Sequence, residues 1–267
     1  MCRLAAVVGP PTSASAVLYE PAHGLSDQAW RPREQQHGHV NVDGTAVAWW
    51  PAGETRPRRY ATVATPWADA NLAALADTFV GSPIVAAVRG ATPGVGYGVA
   101  LVSPFVHEHV AFAHNGSLSH WRGDVGRELM SQVGAHGWEV QPGLSDSRLL
   151  FGLIVDQLAV GHSVAEATQR VVAQVAKHVA VTNDTATLNL LVATRDQVVA
   201  TRASVGWAGN SLHVEASTHE TGVARLRLAS EPLDDADWQP VPEATLVSLH
   251  DGRIDLHPLD IQELTRA

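Results

Sequence analysis

CRLAAVV, residues 2–8, decides how the rest of this chain is read. It is short, apolar after Arg3 and closed by Gly9-Pro10-Pro11, which is the pattern of a buried strand. The pattern recurs in TAVAWW (45–50), PIVAAVR (83–89), HVAFAH (109–114), TLNLLVAT (187–194), QVVATR (197–202), SLHVEA (211–216) and ATLVSLH (244–250). Asp251-Gly252 predicts a two-residue hairpin from the last of these into RIDLHPL. Helical spacing is concentrated in the middle of the chain. DANLAALADTFV (69–80) is opened by Asp69 as a cap. Residues 145–160 open on Ser and Asp and stop at Gly161. Residues 163–180 open on Ser163-x-x-Glu166, the spacing of a capping box. Segments 51–59, 134–144 and 231–242 read as loops. Two helices in series between strand groups predict stacked layers within one domain spanning residues 1–267.

Composition excludes several classes of function. The chain has 267 residues, 45% of them apolar and 17% charged, enough for a substantial core. The formal net charge is −9 and no basic tract occurs, which excludes nucleic acid as the main partner. No apolar run approaches the roughly 20 residues that span a bilayer, so no membrane association is expected. LAAVV is too short for the apolar region of a signal peptide. Cys2 is the only cysteine, so no intramolecular disulfide can form, and a cytoplasmic protein is expected. His37-Gly38-His39 and His107-Glu108-His109 lack the helical spacing or the cysteine partners of a zinc site and read as loop histidines. RGATPGVGYG lacks the Gly-Lys-Ser/Thr ending of a phosphate loop.

The lone cysteine has two readings. It is either a small apolar residue at the start of a strand or a nucleophile. Removal of Met1, expected before a residue this small, would put a thiol and a free α-amine on one residue. The thiolate attacks, and an amine with a reference pKa of about 7.7–8.0 can accept its proton. Such a nucleophile needs an oxyanion hole. AFAHNGSL (111–118) offers the Asn115 amide and the Gly116 N–H where a strand is expected to end at His114, although Asn-Gly is also a common turn. Arg89 closes an apolar strand and needs a partner, either a carboxylate ligand or an internal acid. Asp146 either receives an ammonium group or caps a helix.

Together these segments resemble one family. MCR at the start, QQHGHVNVDGTAVAWW (35–50), VRGAT (88–92), SPFVHEHVAFAHNG (103–116), SDS (145–147) and ASEPLDD (229–235) occur in the order found in the class II glutamine amidotransferases, which are N-terminal nucleophile hydrolases. Within that family the likeness is to the branch that removes glutamate from γ-glutamyl-hercynylcysteine sulfoxide in ergothioneine biosynthesis. The resemblance implies an α+β fold, a four-layer αββα sandwich. It implies that Cys2 is nucleophile and base, that Asn115 and Gly116 form the oxyanion hole, that Arg89 with Thr92 binds the glutamyl α-carboxylate, and that Asp146 binds the glutamyl ammonium. It implies hydrolysis through a γ-glutamyl thioester, with no metal and no organic cofactor and with a small γ-glutamyl molecule as partner. A different γ-glutamyl metabolite, a non-catalytic partner subunit and a homo-oligomer all stay open.

This sequence departs from the family pattern at DGTAVAWW, where Thr45, Ala46 and Ala48 are expected to add side chains near the substrate. Arg148 stands where the family carries an acid, at a helix start that disfavours a cation. Trp49, Trp50, Trp67 and Trp121 are candidates for an aromatic wall around the leaving group, against the commoner role of tryptophan in cores.

Overall fold

A computed structural model describes residues 2–91 and 95–260. Two large antiparallel sheets form its centre. The first runs in the order Gln239–Pro240, His213–Thr218, Ala224–Ala229, Arg3–Val8, Ile84–Val88, Thr45–Trp49, Arg58–Thr62. The second runs Arg253–Pro258, Thr245–His250, Val198–Arg202, Ala186–Ala193, Val110–Leu118, Phe105–His107, with Ser204–Val205 also pairing with Ala186–Ala193.

Side chains alternate along a strand, and here both faces are covered. Leu4 and Ala6 point between the sheets, where they meet Ala111, Ala113, Leu191 and Ala193 of the second sheet. Ala5 and Val7 point outward to the helices Ser15–Leu18, Leu25–Trp30 and Ala70–Leu75. The outer face of the second sheet packs on Asp124–Ser131, Asp146–Ala159 and Val164–Thr182. The order of layers is therefore helix, sheet, sheet, helix. Double coverage explains why these strands read as continuous apolar runs rather than as polar–apolar alternation.

Local rules hold at the predicted boundaries. Asp69 accepts from the N–H groups of Asn71 and Leu72 and caps its helix. Ser163 and Glu166 form the reciprocal capping box. Asp251 and Gly252 have φ of 47° and 71°, and His250 pairs with Arg253 across the turn, as the twist of a tight hairpin requires. The segments read as loops carry more structure than expected. A strand begins at Arg58, a helix occupies Ala135–Trp138, and a short strand occupies Gln239–Pro240.

Phe105, Phe112 and Phe151 stack between the second sheet and its helices, with ring centroids 5.2–6.5 Å apart. Phe151→Ala should cost about 3–5 kcal/mol in urea unfolding, against about 1 kcal/mol for Ser163→Ala at the helix cap. Equal losses would contradict this assignment of the core.

Candidate active site

Cys2 directly precedes the strand Arg3–Val8, between its neighbours Ala224–Ala229 and Ile84–Val88, and is half-buried. It lines a cleft together with Arg89, His114, Gly116, Asp146 and Ser147. The first sheet thus supplies Cys2 and Arg89, and the second sheet with its helix supplies the others. Asn115 does not line the cleft. It lies fully buried behind it, with Nδ2 donating to Ser230 Oγ (3.3 Å) and its backbone carbonyl accepting from Asn210 Nδ2 (2.9 Å). Thr92 falls outside the described residues.

His114-Asn115-Gly116 is neither a turn nor a strand end. The strand continues from Val110 to Leu118, with Asn115 opposite Asn189 and Gly116 opposite Leu188. A Cβ on Gly116 would sit 1.9 Å from the Thr187 carbonyl oxygen and 2.3 Å from His114 Nε2. Glycine is required there by close approach. Asp146 is not the helix cap. Ser145 is, its Oγ accepting from Arg148 N (3.1 Å), and Asp146 is the first helical residue. Its Oδ2 accepts from Leu118 N (3.1 Å) and its Oδ1 from Ser147 N (2.8 Å), so the carboxylate ties the helix to the strand beside it.

Arg89 is 6% exposed. Its Nη2 donates to the Gly96 carbonyl (3.1 Å), while its Nη1 is buried with no partner among the described residues. A buried guanidinium with an unmet donor disfavours the empty site and favours a carboxylate ligand. The backbone beside it is held by Asp43, whose carboxylate accepts from Ala91 N (2.7 Å) and from the Tyr97 hydroxyl (2.8 Å).

A second charged cluster fixes the Cys2 backbone. Arg3 is fully buried, its Nε donating to the Cys2 carbonyl (2.8 Å) and its Nη1 pairing with Glu231 Oε1 (2.9 Å). Glu231 Oε2 meets His23 Nε2 (2.9 Å) and accepts from Arg33 N (2.7 Å), and His23 Nδ1 meets Asp27 Oδ2 (2.7 Å). Burial pushes the Glu231 carboxyl up. The hydrogen bonds from His23 and Arg33, with the Arg3 charge, outweigh it and hold the group below the usual carboxylate range. An arginine beside an apolar strand was the available sign of this cluster, at the start of the strand for Arg3 and at the end of it for Arg89.

Three sequence expectations are corrected. Arg148 does not oppose its helix. Its guanidinium bends back to donate to the carbonyls of Ala100 (2.7 and 3.0 Å) and Val140 (3.1 Å), over the Phe105 ring. Burial, with the nearby Arg59 charge, pushes its pKa down to about 10. Thr45, Ala46 and Ala48 lie buried in their sheet, and none of them lines the cleft. The four tryptophans do not line it either. Trp50 fills the space between the sheets, Trp49 stacks on Phe79, Trp121 packs on the helical core, and Trp67 borders a separate cavity with Trp30. Among the described residues no cluster suited to a metal ion occurs, and no helix is long and apolar enough to cross a membrane.

Glu231→Gln should destabilise the protein by about 3–5 kcal/mol, because it leaves a buried guanidinium without its counter-charge. The Glu231 contribution is complete above the reference glutamate pKa of about 4.3 and is lost as pH falls through the lower folded value. Acid unfolding of wild type and variant should therefore converge at low pH. A constant gap between them would contradict the ion pair as its source.

Residues 19–263 match the family model described as glutamine amidotransferases class-II. The chain is 31% identical over 264 residues to the gamma-glutamyl-hercynylcysteine sulfoxide hydrolase of Mycolicibacterium smegmatis, covering 97% of this chain and 100% of that one. It is 30% identical to the protein of the same name from Mycobacterium tuberculosis, covering 97% of each. Among solved structures, a glutamine aminotransferase class-II domain protein from Silicibacter pomeroyi superposes with a TM-score of 0.71 at 19% identity, over 97% of this chain and 99% of that one. With its helix–sheet–sheet–helix layers and nearly its whole length matched, the chain belongs to the class II glutamine amidotransferases.

Proposed function

We propose that this protein hydrolyses the γ-glutamyl amide bond of a small metabolite, with Cys2 as nucleophile. The observation that carries the reading is the meeting of Cys2, Arg89 and Asp146 in one cleft. A thiol shares the cleft with a buried cation whose Nη1 has no partner among the described residues and with a buried carboxylate. That arrangement suits an α-amino acid head group, carboxylate toward Arg89 and ammonium toward Asp146. The γ-carbonyl then extends toward the sulfur.

In this reading Met1 is removed and the neutral α-amine of Cys2 takes the thiol proton. The thiolate attacks the γ-carbonyl carbon. Negative charge gathers on the carbonyl oxygen, where the Gly116 N–H stabilises it; the Asn115 amide, held behind the cleft by Ser230, must turn from that partner to act as a second donor, each donor being worth roughly 3–4 kcal/mol. The tetrahedral adduct collapses, the C–N bond breaks, and the amine leaves with the proton held by the Cys2 ammonium. A γ-glutamyl thioester remains. Water, deprotonated by the same amine, attacks it and releases glutamate and the thiol. The names carried by the relatives support γ-glutamyl-hercynylcysteine sulfoxide as the substrate, and we assign the reaction to ergothioneine synthesis in the cytoplasm on the sequence resemblance.

Glutamate release tests this. Protein whose intact mass confirms loss of Met1 is given the sulfoxide, simple γ-glutamyl amides and glutamine. The expected result is release from the sulfoxide, abolished in Cys2→Ala. Arg89→Lys, which keeps the charge but loses the planar fork, should lower kcat/KM by about ten- to a hundredfold. Turnover that survives Cys2→Ala would refute the nucleophile, and release only from another γ-glutamyl compound would refute the substrate.

A further inference from the structure

We propose that His114 is a positioning residue of the glutamyl site, locking the Asp146 helix to the Gly116 strand through Ser147 and governing how much of the Asp146 charge is presented to the substrate ammonium. The proposal rests on the glutamyl reading above. His114 is 2% exposed and lines the cleft without being one of its reacting groups. Both ring nitrogens are engaged. Nε2 lies 2.9 Å from the Thr187 carbonyl oxygen and Nδ1 lies 3.0 Å from Ser147 Oγ.

The partners fix the tautomer. A carbonyl oxygen only accepts, so Nε2 carries the proton. Nδ1 of the neutral ring is then an acceptor, and the Ser147 hydroxyl donates to it. The imidazole thus bridges the strand Ala186–Ala193, through Thr187, to the start of the helix Asp146–Ala159, through Ser147. Its own strand carries Gly116, which has no space for a side chain because His114 Nε2 and the Thr187 carbonyl lie against it. One ring therefore sets the position of both the Gly116 backbone and the Asp146 carboxylate.

Protonation would reverse the Ser147 hydroxyl. With both ring nitrogens donating, Ser147 Oγ must accept, and its hydrogen turns to Asp146 Oδ1, 3.5 Å away. That oxygen already accepts from Ser147 N. An imidazolium would add a positive charge beside the carboxylate that the substrate ammonium needs. Among the described residues, the charged and titratable groups that line the cleft with the ring are Asp146 on its helix, Cys2 before the first strand and Arg89 after the strand Ile84–Val88, and the amino-terminal charge also opposes protonation of the ring. Burial holds the imidazole below its ordinary range, against the opposing pull of the Asp146 charge and the Thr187 carbonyl. The ring therefore stays neutral at neutral pH, and no imidazolium offsets the Asp146 carboxylate.

The test separates KM from kcat. Ser147→Ala should raise KM for the γ-glutamyl substrate about tenfold while kcat changes less than about threefold. Ser147→Thr, which keeps the hydroxyl, should restore KM. Wild-type KM should climb as pH falls below the ordinary imidazole range of about 6.5, and in His114→Gln it should stay flat there. Nitrogen-15 NMR of the full chain should show the proton on Nε2 of His114 at neutral pH, a readout that needs no turnover. Normal turnover with KM unmoved in Ser147→Ala, or a proton on Nδ1, would overturn the positioning role alone. A wild-type protein that neither releases nor binds glutamate overturns the glutamyl reading and this proposal with it.

Discussion

Arg3 sits fully buried on the helix-covered face of the first sheet, in phase with Ala5 and Val7 and one residue after the proposed nucleophile. Water is excluded there, so the guanidinium must be matched inside the protein, and Glu231 matches it. That pairing constrains much else. Glu231 is held by His23 and by the Arg33 backbone, which ties the outer helical layer to the central strand. Ser230, its neighbour, accepts from both Leu4 N and the Asn115 amide. The Arg3 side chain reaches back to the Cys2 carbonyl. A nucleophile at a chain terminus would ordinarily fray. Here an ion pair and a ladder of strand hydrogen bonds hold it against the cleft.

The fold supplies the remaining geometry by bringing strand ends from the two sheets together. Cys2 and Arg89 come from adjacent strands of one sheet, paired through Arg3 and Val88. Gly116 and Asp146 come from the other sheet and its helix, joined through the Leu118 N–H. The rows that face each other between the sheets are rich in alanine, including Ala6, Ala87, Ala111 and Ala113. Small side chains let the sheets pack closely, and the cleft forms where that packing ends.

Much of this was legible because strand and helix periodicity are local. The apolar runs at 2–8, 45–50 and 83–89 became neighbouring strands, and the capping signals of Asp69, Ser163 and Asp251-Gly252 all fell where their hydrogen bonds or backbone angles require. The strand Ala224–Ala229 was missed because Arg225 and Arg227 interrupt its apolar pattern. Arg227 is paired with Glu215 and Asp234, partners that sequence spacing does not reveal. The helix Asp124–Ser131 was missed for lack of a capping side chain, since Gly123 precedes it. Of the residues that the ordered motifs singled out, the structure brings Cys2, Arg89, Gly116 and Asp146 into one cleft and leaves Asn115 behind it, while Thr92 lies outside the described residues. The continuation of the strand through His114-Asn115-Gly116, the bend of Arg148 and the placement of every candidate tryptophan depend on long-range packing, which no local rule reports.

The central claim is that Cys2 carries the glutamyl group between the two chemical steps. The most direct test is rapid acid quench during turnover, followed by pepsin digestion and mass spectrometry at acid pH, where the protonated α-amine cannot take the acyl group from sulfur. One added glutamyl residue is expected on the peptide that begins with a free Cys2, attached through a linkage that hydroxylamine cleaves. A glutamyl group found on any other residue, or steady turnover by protein that still carries Met1, would contradict it.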